Sequence, residues 1–183
     1  MEDISKDTLI KASLGDMQAF EDVYKGCSRF VYNVALRVVN NKEDALEVSQ
    51  EVFIVLYHKL KSFRFESSFK TWVYRITANC AINFAKKSSR VKTVPYDDTI
   101  SEGAVLMDTR VEIDQEDKAK FVERLLSEIS PDQRACVVLR DIQGLSYEEI
   151  AQALGININT VRSRLKRARE KLMSLKSKFS YEL

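Results

Sequence analysis

The chain has 183 residues, 45% of them hydrophobic and 31% charged, with five Gly, two Pro and a formal net charge of +2. That length allows one domain or two small ones, and the apolar fraction suffices for packed cores, which excludes disorder along the whole chain. Gly and Pro fall well below their usual combined share of roughly 12%, which starves hairpins and Gly-rich phosphate loops and points to helices. No apolar run approaches the ~18 residues that span a bilayer. Residues 1–11 carry acids and no signal-like apolar stretch, so a cytoplasmic location is expected. Cys27, Cys80 and Cys136 are odd in number and form no Cys-x-x-Cys pair, which reads as buried free thiols. His58, the one histidine, cannot build a metal-ligating cluster and suits a helix surface; no cofactor or metal is expected.

Charge is uneven along the chain. Residues 1–90 sum to +3, residues 91–115 to −4 and residues 116–183 to +3. The acidic stretch holds Pro95, Asp97, Asp98, Ser101 and Gly103 and keeps no helical period, so it reads as a linker. The expected fold is therefore all-α: two small helical domains, 1–90 and 116–183, joined by a flexible acidic linker at 91–115.

In the first domain Leu9, Ile10 and Leu14 suit a short helix ended by Gly15, and Asp16 can cap a second. There Phe20, Val23, Tyr24, Cys27, Val31, Val34 and Ala35 recur at helical spacing. After a turn at Asn40-Asn41, Ala45, Val48, Val52, Val55 and Leu56 form the apolar stripe of a third helix, while Glu43, Glu47 and Glu51 lie four apart on another face. Such an acidic row is either a solvated face or a docking surface for a basic partner. Ser67 or Ser68 can cap a fourth helix from about Phe69 to Ser88. Around its start Phe63, Phe65, Phe69, Trp72, Tyr74 and Phe84 alternate with Lys61, Arg64, Lys70, Arg75, Lys86, Lys87 and Arg90. Aromatics among cations can stack unpaired bases, at about 1–3 kcal/mol each; the other reading is core aromatics with a basic rim.

The second domain carries sharper punctuation. Phe121, Val122, Leu125, Leu126 and Ile129 define one helix, and Ser130-Pro131-Asp132-Gln133 opens the next with a capping box and Pro at its first position. Val137, Val138 and Ile142 continue it to Gly144. Ser146 and Glu149 form a second capping box, Leu145 can staple onto Ile150, and Ala151 and Leu154 follow on the inner face. Gly155 supplies a tight turn, Asn157 a cap, and Val161, Leu165, Ala168 and Leu172 the buried seam of a last helix. This four-helix arrangement has the pattern of a helix-turn-helix, whose second helix enters the DNA major groove. Arg162, Arg164, Lys166, Arg167, Arg169, Lys171, Lys176 and Lys178 face Glu170 alone, so phosphate binding and strong salt dependence are expected. Removing the seam leaves Asn159, Thr160, Arg162, Ser163, Lys166 and Arg167 outward; Arg162 and Ser163 lead as base readers, while Lys166 and Arg167 read bases or hold phosphates. Arg164 and Arg169, at the seam's edges, suit backbone contacts or salt bridges.

The run from Leu145 to Gly155 and that from Thr160 to Leu172 together resemble the last region of bacterial RNA polymerase sigma factors, particularly the small extracytoplasmic-function (ECF) type. Asp44 to Phe53 resembles that family's core-polymerase-binding helix, and Phe69 to Asn79 its promoter-melting segment, in the family's order. The resemblance implies a specificity subunit of core RNA polymerase, not an enzyme. Its first domain would dock on the clamp helices of the largest subunit through Asp44, Glu47, Gln50 and Glu51, and its second on the flap of the next-largest. The minus-10 element would be held by Phe63, Arg64, Phe65, Lys70, Trp72, Arg75, Asn79, Lys86 and Lys87, with Asn79 matching a residue of the pocket for an extruded base. The minus-35 element would be held by Asn159, Thr160, Arg162, Ser163, Lys166 and Arg167. The linker would thread toward the active centre and RNA exit path. Departures from the family pattern are Glu47 for a more usual Asp, Asn159 for a common Gly and Asn83 for a frequent Asp. No amino-terminal inhibitory extension or long carboxy-terminal domain is read, so the resemblance implies control by a separate anti-sigma factor, membrane-anchored forms included, and a free monomer without membrane insertion. A stand-alone helix-turn-helix regulator would account for the second domain but not for the Trp72 segment or the Asp44 helix, and would normally dimerise. A helical hydrolase would use the Glu row but finds no His ligands, Ser-His pair or phosphate loop.

Overall fold

The computed structural model describes residues 4–91, 122 and 124–179. Its regular elements are α1 (Lys6–Ser13), α2 (Met17–Val39), α3 (Lys42–Lys59), a 3₁₀ turn (Leu60–Ser62), α4 (Phe69–Val91), α5 (Pro131–Val137) running into a π segment (Val138–Ile142), α6 (Tyr147–Leu154) and α7 (Ile158–Phe179). Residues 124–127 are also helical, and no strand occurs among the described residues. The expected linker falls outside the described residues except for Val91, which ends α4; that helix continues past Ser88.

Side-chain caps set the helix starts. Ser5, Asp16 and Asn41 accept from the backbone N–H three residues on, at 3.1, 3.0 and 2.9 Å, and Ser68 does the same for Thr71 at 3.1 Å. Each satisfies a donor that the first turn leaves orphaned. Asn40 closes α2 in the left-handed region at φ 60°, a conformation Asn tolerates because its short side chain bonds locally.

In the first half α2, α3 and α4 pack on one another, with α1 laid against α2. Val23, Cys27, Val31, Ala45, Val48, Val52 and Val73 have no exposed surface, so the apolar spacing does mark the core. At its edges the core is narrower than the apolar spacing implies: Ile10, Leu14 and Tyr24 are exposed and Val55 is half-buried, because these helices have only one covered side. In the second half Leu126, Ile129, Cys136, Leu139, Leu145, Ile150, Val161, Leu165 and Ala168 make the core. Here Ile150 and Ala153 are the fully covered residues of α6, with Ala151 and Leu154 half-buried. Val122 and Ile142 face outward. The π segment after Val137 was not expected. Its wider turn shifts the side-chain phase, so that Val138 and Leu139 go inside and Ile142 goes out.

The two halves pack on each other. Val34, Tyr74 and Ala78 of the first belong to the same apolar cluster as Ile150, Val161 and Leu165 of the second. Helices α2 and α4 touch α5, and α4 touches α6. Two buried polar atoms in this region have no partner, the Tyr74 hydroxyl and Arg134 Nε; each such group costs about 1–3 kcal/mol. Burial lowers the Arg134 pKa and raises that of Tyr74.

Ile150 has no exposed surface and sits in the cluster shared by both halves. Ile150→Ala is expected to remove about 2–5 kcal/mol of stability, read as a lower urea midpoint at unchanged slope. Exposed Ile142→Ala serves as the control and is expected to shift it by less than about 0.5 kcal/mol.

Candidate functional site

The helix-turn-helix is built from α6, Gly155 and α7. Ser146 Oγ accepts from Glu149 N at 3.1 Å, and the Glu149 carboxylate accepts from Ser146 N at 2.7 Å, closing the capping box. These hydrogen bonds hold the Glu149 carboxyl below its ordinary 4.5. Gly155 turns the chain at φ 63°, where a Cβ would be strained. Asn157 Oδ1 accepts from Asn159 N at 2.8 Å and starts α7.

Along α7, Val161, Leu165 and Ala168 are buried, while Asn159, Arg162, Lys166 and Arg167 are exposed. Arg162 donates to Asn159 Oδ1 at 3.1 Å, which lays the guanidinium along the exposed first turn. Thr160 and Ser163 are half-buried, and Ser163 Oγ donates to the Thr160 carbonyl at 3.0 Å. Lys166 pairs loosely with Glu170 at 3.8 Å. Arg164, half-buried, pairs with Asp132 at 3.0 Å, and Arg169, itself exposed, pairs with Asp141 at 2.6 Å. Of the two uses expected for Arg164 and Arg169, the ion pairs are the ones present, bracing α7 against α5 and the π segment; Arg162, Lys166 and Arg167 form its exposed basic face, while Thr160 and Ser163, expected outward, are half-buried because they lie beside the packed seam. The side chains of Lys176 and Lys178 lie outside the described set.

The aromatic segment divides. Phe63 is 9% exposed and packs at 4.7, 5.6 and 5.0 Å from the rings of Phe65, Phe69 and Trp72. A ring so covered is unavailable for stacking, so Phe63 supports its neighbours. Phe65 is 41% exposed, has a left-handed φ of 57°, and carries Lys6 Nζ 5.1 Å from its centroid. Trp72 is half-buried, with Arg64, Lys70 and Arg75 exposed near it in the chain and Lys86 and Lys87 exposed near the far end of α4. Tyr74 leaves the group: it is buried against Phe30 with ring centroids 4.4 Å apart. Asn79 is half-buried and donates to the Ala153 carbonyl of α6 at 3.2 Å. Lys86 pairs with Asp132 at 2.9 Å. These two contacts were not foreseen, since their partners lie far along the chain.

On α3, Glu47, Gln50 and Glu51 are exposed and Asp44 is half-buried. Beside the acidic row runs a feature that sequence reasoning missed. Leu46 and Ile54 are 57% and 60% exposed, and with Gln50 they repeat every four residues. They line a cleft of about 590 Å³ with Tyr24, Tyr32 and Phe53 of α2 and α3. The signal was available, because Leu46 and Ile54 are apolar residues off the buried stripe. Cys27 and Cys136 are buried and Cys80 half-buried; burial pushes each thiol up to about 11. Among the described residues no group of three His, Cys, Asp or Glu side chains is placed to hold a metal. No described helix is long and apolar enough to cross a membrane.

The Glu149 cap carries a signed pH effect. Because its pKa is lower in the folded chain, its stabilisation is present above 4.5 and is lost as pH falls through the folded value. Glu149→Gln is expected to flatten the pH dependence of the thermal midpoint below about pH 4.5 and to lower the midpoint slightly at pH 7, where Gln keeps the hydrogen bond of the box but not the charge. Ser146→Ala is expected to cost about 1 kcal/mol at neutral pH.

Residues 23–91 match the family described as Sigma-70 region 2, and residues 122–172 match Sigma-70, region 4. The chain is 36% identical over 164 residues to the ECF RNA polymerase sigma-E factor of Escherichia coli K12, covering 85% of each. It is 32% identical over 166 residues to the RNA polymerase sigma-H factor of Pseudomonas aeruginosa, again covering 85% of each. It is 31% identical over 175 residues to the ECF sigma factor SigE of Mycolicibacterium smegmatis, covering 91% of this chain and 65% of that one. Among solved structures, CnrH in complex with the cytosolic domain of CnrY superposes with a TM-score of 0.65 at 22% identity, covering 96% of this chain and 98% of that one. RpoE of Bartonella quintana, bound to the anti-sigma factor NepR, gives 0.64 at 23% identity over 86% and 96%. By both of its sigma-70 regions and by its identity to relatives over most of their length, the chain belongs to the ECF RNA polymerase sigma factors.

Proposed function

We propose that this protein binds core RNA polymerase, directs it to specific promoters and promotes their melting, acting in the cytoplasm as a non-enzymatic subunit. The observation that carries the reading is the open basic face of α7, set on a capped helix-turn-helix, in the same chain as the acidic and apolar face of α3.

Arg162 near the start of α7 reads a base edge of the minus-35 element, with Asn159, Thr160 and Ser163 beside it and Lys166 and Arg167 on bases or phosphates. Glu47, Gln50, Glu51 and Asp44 meet the basic clamp of the polymerase, and the neighbouring Leu46 and Ile54 supply apolar area that charge alone lacks. At the minus-10 element, flipping a base costs a few kcal/mol of unstacking. Phe65 and Trp72 offset that by stacking, with Arg64, Lys70, Arg75, Lys86 and Lys87 on the backbone; Phe63 holds the rings in place and Asn79 contacts the flipped base. Residues 1–90 and 116–183 are the two functional units and 91–115 the acidic tether between them. The relatives solved with anti-sigma proteins support control of this chain by a partner of that kind.

Run-off transcription with core polymerase and a promoter library tests the reading. Promoter-specific initiation only when the chain is added is the expected result; specific DNA binding by a dimer of the chain alone, with no effect on polymerase, would identify a stand-alone regulator. Arg162→Ala is expected to cost about 1–3 kcal/mol of discrimination at one upstream position, whereas Lys176→Ala weakens all sequences evenly. Glu47→Lys is expected to reduce association with core polymerase about tenfold or more at low salt, with less effect at high salt.

A further inference from the structure

Helix α7 rests on α5 and α6 through a narrow apolar seam, Val161, Leu165 and Ala168, all buried. Apolar contact is non-directional, so this seam fixes the depth at which the helix sits better than its roll about its own axis. Roll matters at the exposed face. A side-chain tip stands about 5–6 Å from the helix axis, and a roll of about 20° carries it roughly 2 Å. That exceeds the roughly 0.5 Å spread of N–H···O distances in hydrogen bonds, so a base contact made by Arg162 survives only if the roll is held.

Two ion pairs flank the seam. At 3.6 residues per turn, Arg164 stands about 70° to one side of the line through Val161, Leu165 and Ala168, and Arg169 about 70° to the other. Arg164 reaches Asp132 in the first turn of α5 at 3.0 Å, and Arg169 reaches Asp141 in the π segment at 2.6 Å. Tethers on opposite flanks oppose roll in either sense. Arg162 projects from the same flank as Arg169, about two turns nearer the helix start, so the Asp141 pair acts on the side of the leading base reader. The π segment decides where Asp141 stands. Gln143 N donates to the Val138 carbonyl at 3.1 Å, closing a five-residue turn, and that wider turn shifts the phase of the side chains within it. The neighbouring Arg140 donates to the Leu145 carbonyl at 2.7 Å and lies 5.2 Å from the centre of the Tyr147 ring. Consecutive residues of one segment thus hold the start of α6 and the flank of α7. Resting on the reading of α7 as the helix that reads the minus-35 element, we propose that Asp141, placed by the π segment, is a positioning residue for base readout: it sets the roll of α7, and with it the direction of Arg162, without touching DNA. Arg169 and Asp141 are 45% and 42% exposed, so the pair contributes little to folding. Its effect is on direction, and removing it leaves the helix in place but free to turn.

The test uses the full chain with core polymerase and a promoter library varied at every base of the minus-35 element. Discrimination at each position is the ratio of initiation from the preferred base to initiation from the others, and Arg162→Ala marks the position that Arg162 reads. Asp141→Asn is expected to lower discrimination at that position about two- to fivefold, with circular dichroism and association with core polymerase unchanged. Asp141→Glu, which keeps the charge, is expected to restore it. Because Asp141 acts through Arg162, the double variant Asp141→Asn with Arg162→Ala is expected to lose no more at that position than Arg162→Ala alone. A folded Asp141→Asn chain with unchanged ratios, an equal change at every position, or losses that multiply in the double variant overturns the proposal. A wild-type chain that gives no promoter-specific initiation instead overturns the functional reading, and an Arg162→Ala chain with full discrimination overturns the base-reading assignment; either takes the positioning role with it.

Discussion

The shared packing of Val34, Tyr74 and Ala78 with Ile150, Val161 and Leu165 is the constraint on which the rest of the arrangement depends. A small helical domain buries only a modest share of the surface its unfolded chain exposes. Joining two such bodies through one apolar cluster lets each complete the other's core. It also fixes where α7 stands relative to α4, and therefore which face of α7 remains open.

Polar groups at that junction supply direction and little net binding. Tyr74 brings a ring that packs well against Phe30 at 4.4 Å and a hydroxyl that finds no acceptor. Arg134 is 8% exposed with Nε unpaired. An interior optimised for stability would carry apolar residues of the same volume at both places. Asp132, in contrast, satisfies two cations from different helices. The junction therefore combines an apolar floor with a polar layer of small net energy.

The aromatic cluster follows the same logic on a smaller scale. Phe63, Phe69 and Trp72 support one another edge to face and tilted, and this mutual support holds Phe65 out at a left-handed backbone angle. Both readings that composition left open, core aromatics and stacking aromatics, describe part of the same cluster. Which ring plays which part depends on the turn between α3 and α4.

Sequence by itself determined the helical class, the caps at Asp16, Ser130, Ser146 and Asn157, the turns at Asn40-Asn41, Gly144 and Gly155, and the buried seam and basic face of α7. These were legible because a cap bonds a backbone group three residues away and a helical face repeats every three or four positions, so the partners lie within one turn of chain. The angle of Arg164 and Arg169 on the helix left backbone contacts and salt bridges both open, and the packing chose the salt bridges. Tertiary structure decided that Asn79 donates to Ala153, that Lys86 and Arg164 share Asp132, that Tyr74 leaves the aromatic group, and that Leu46 and Ile54 border an open cleft. It also decided the π segment that turns Ile142 outward. The reason is the same in each case: the energy of a contact between residues tens of positions apart depends on how whole helices pack, and no local spacing carries that information.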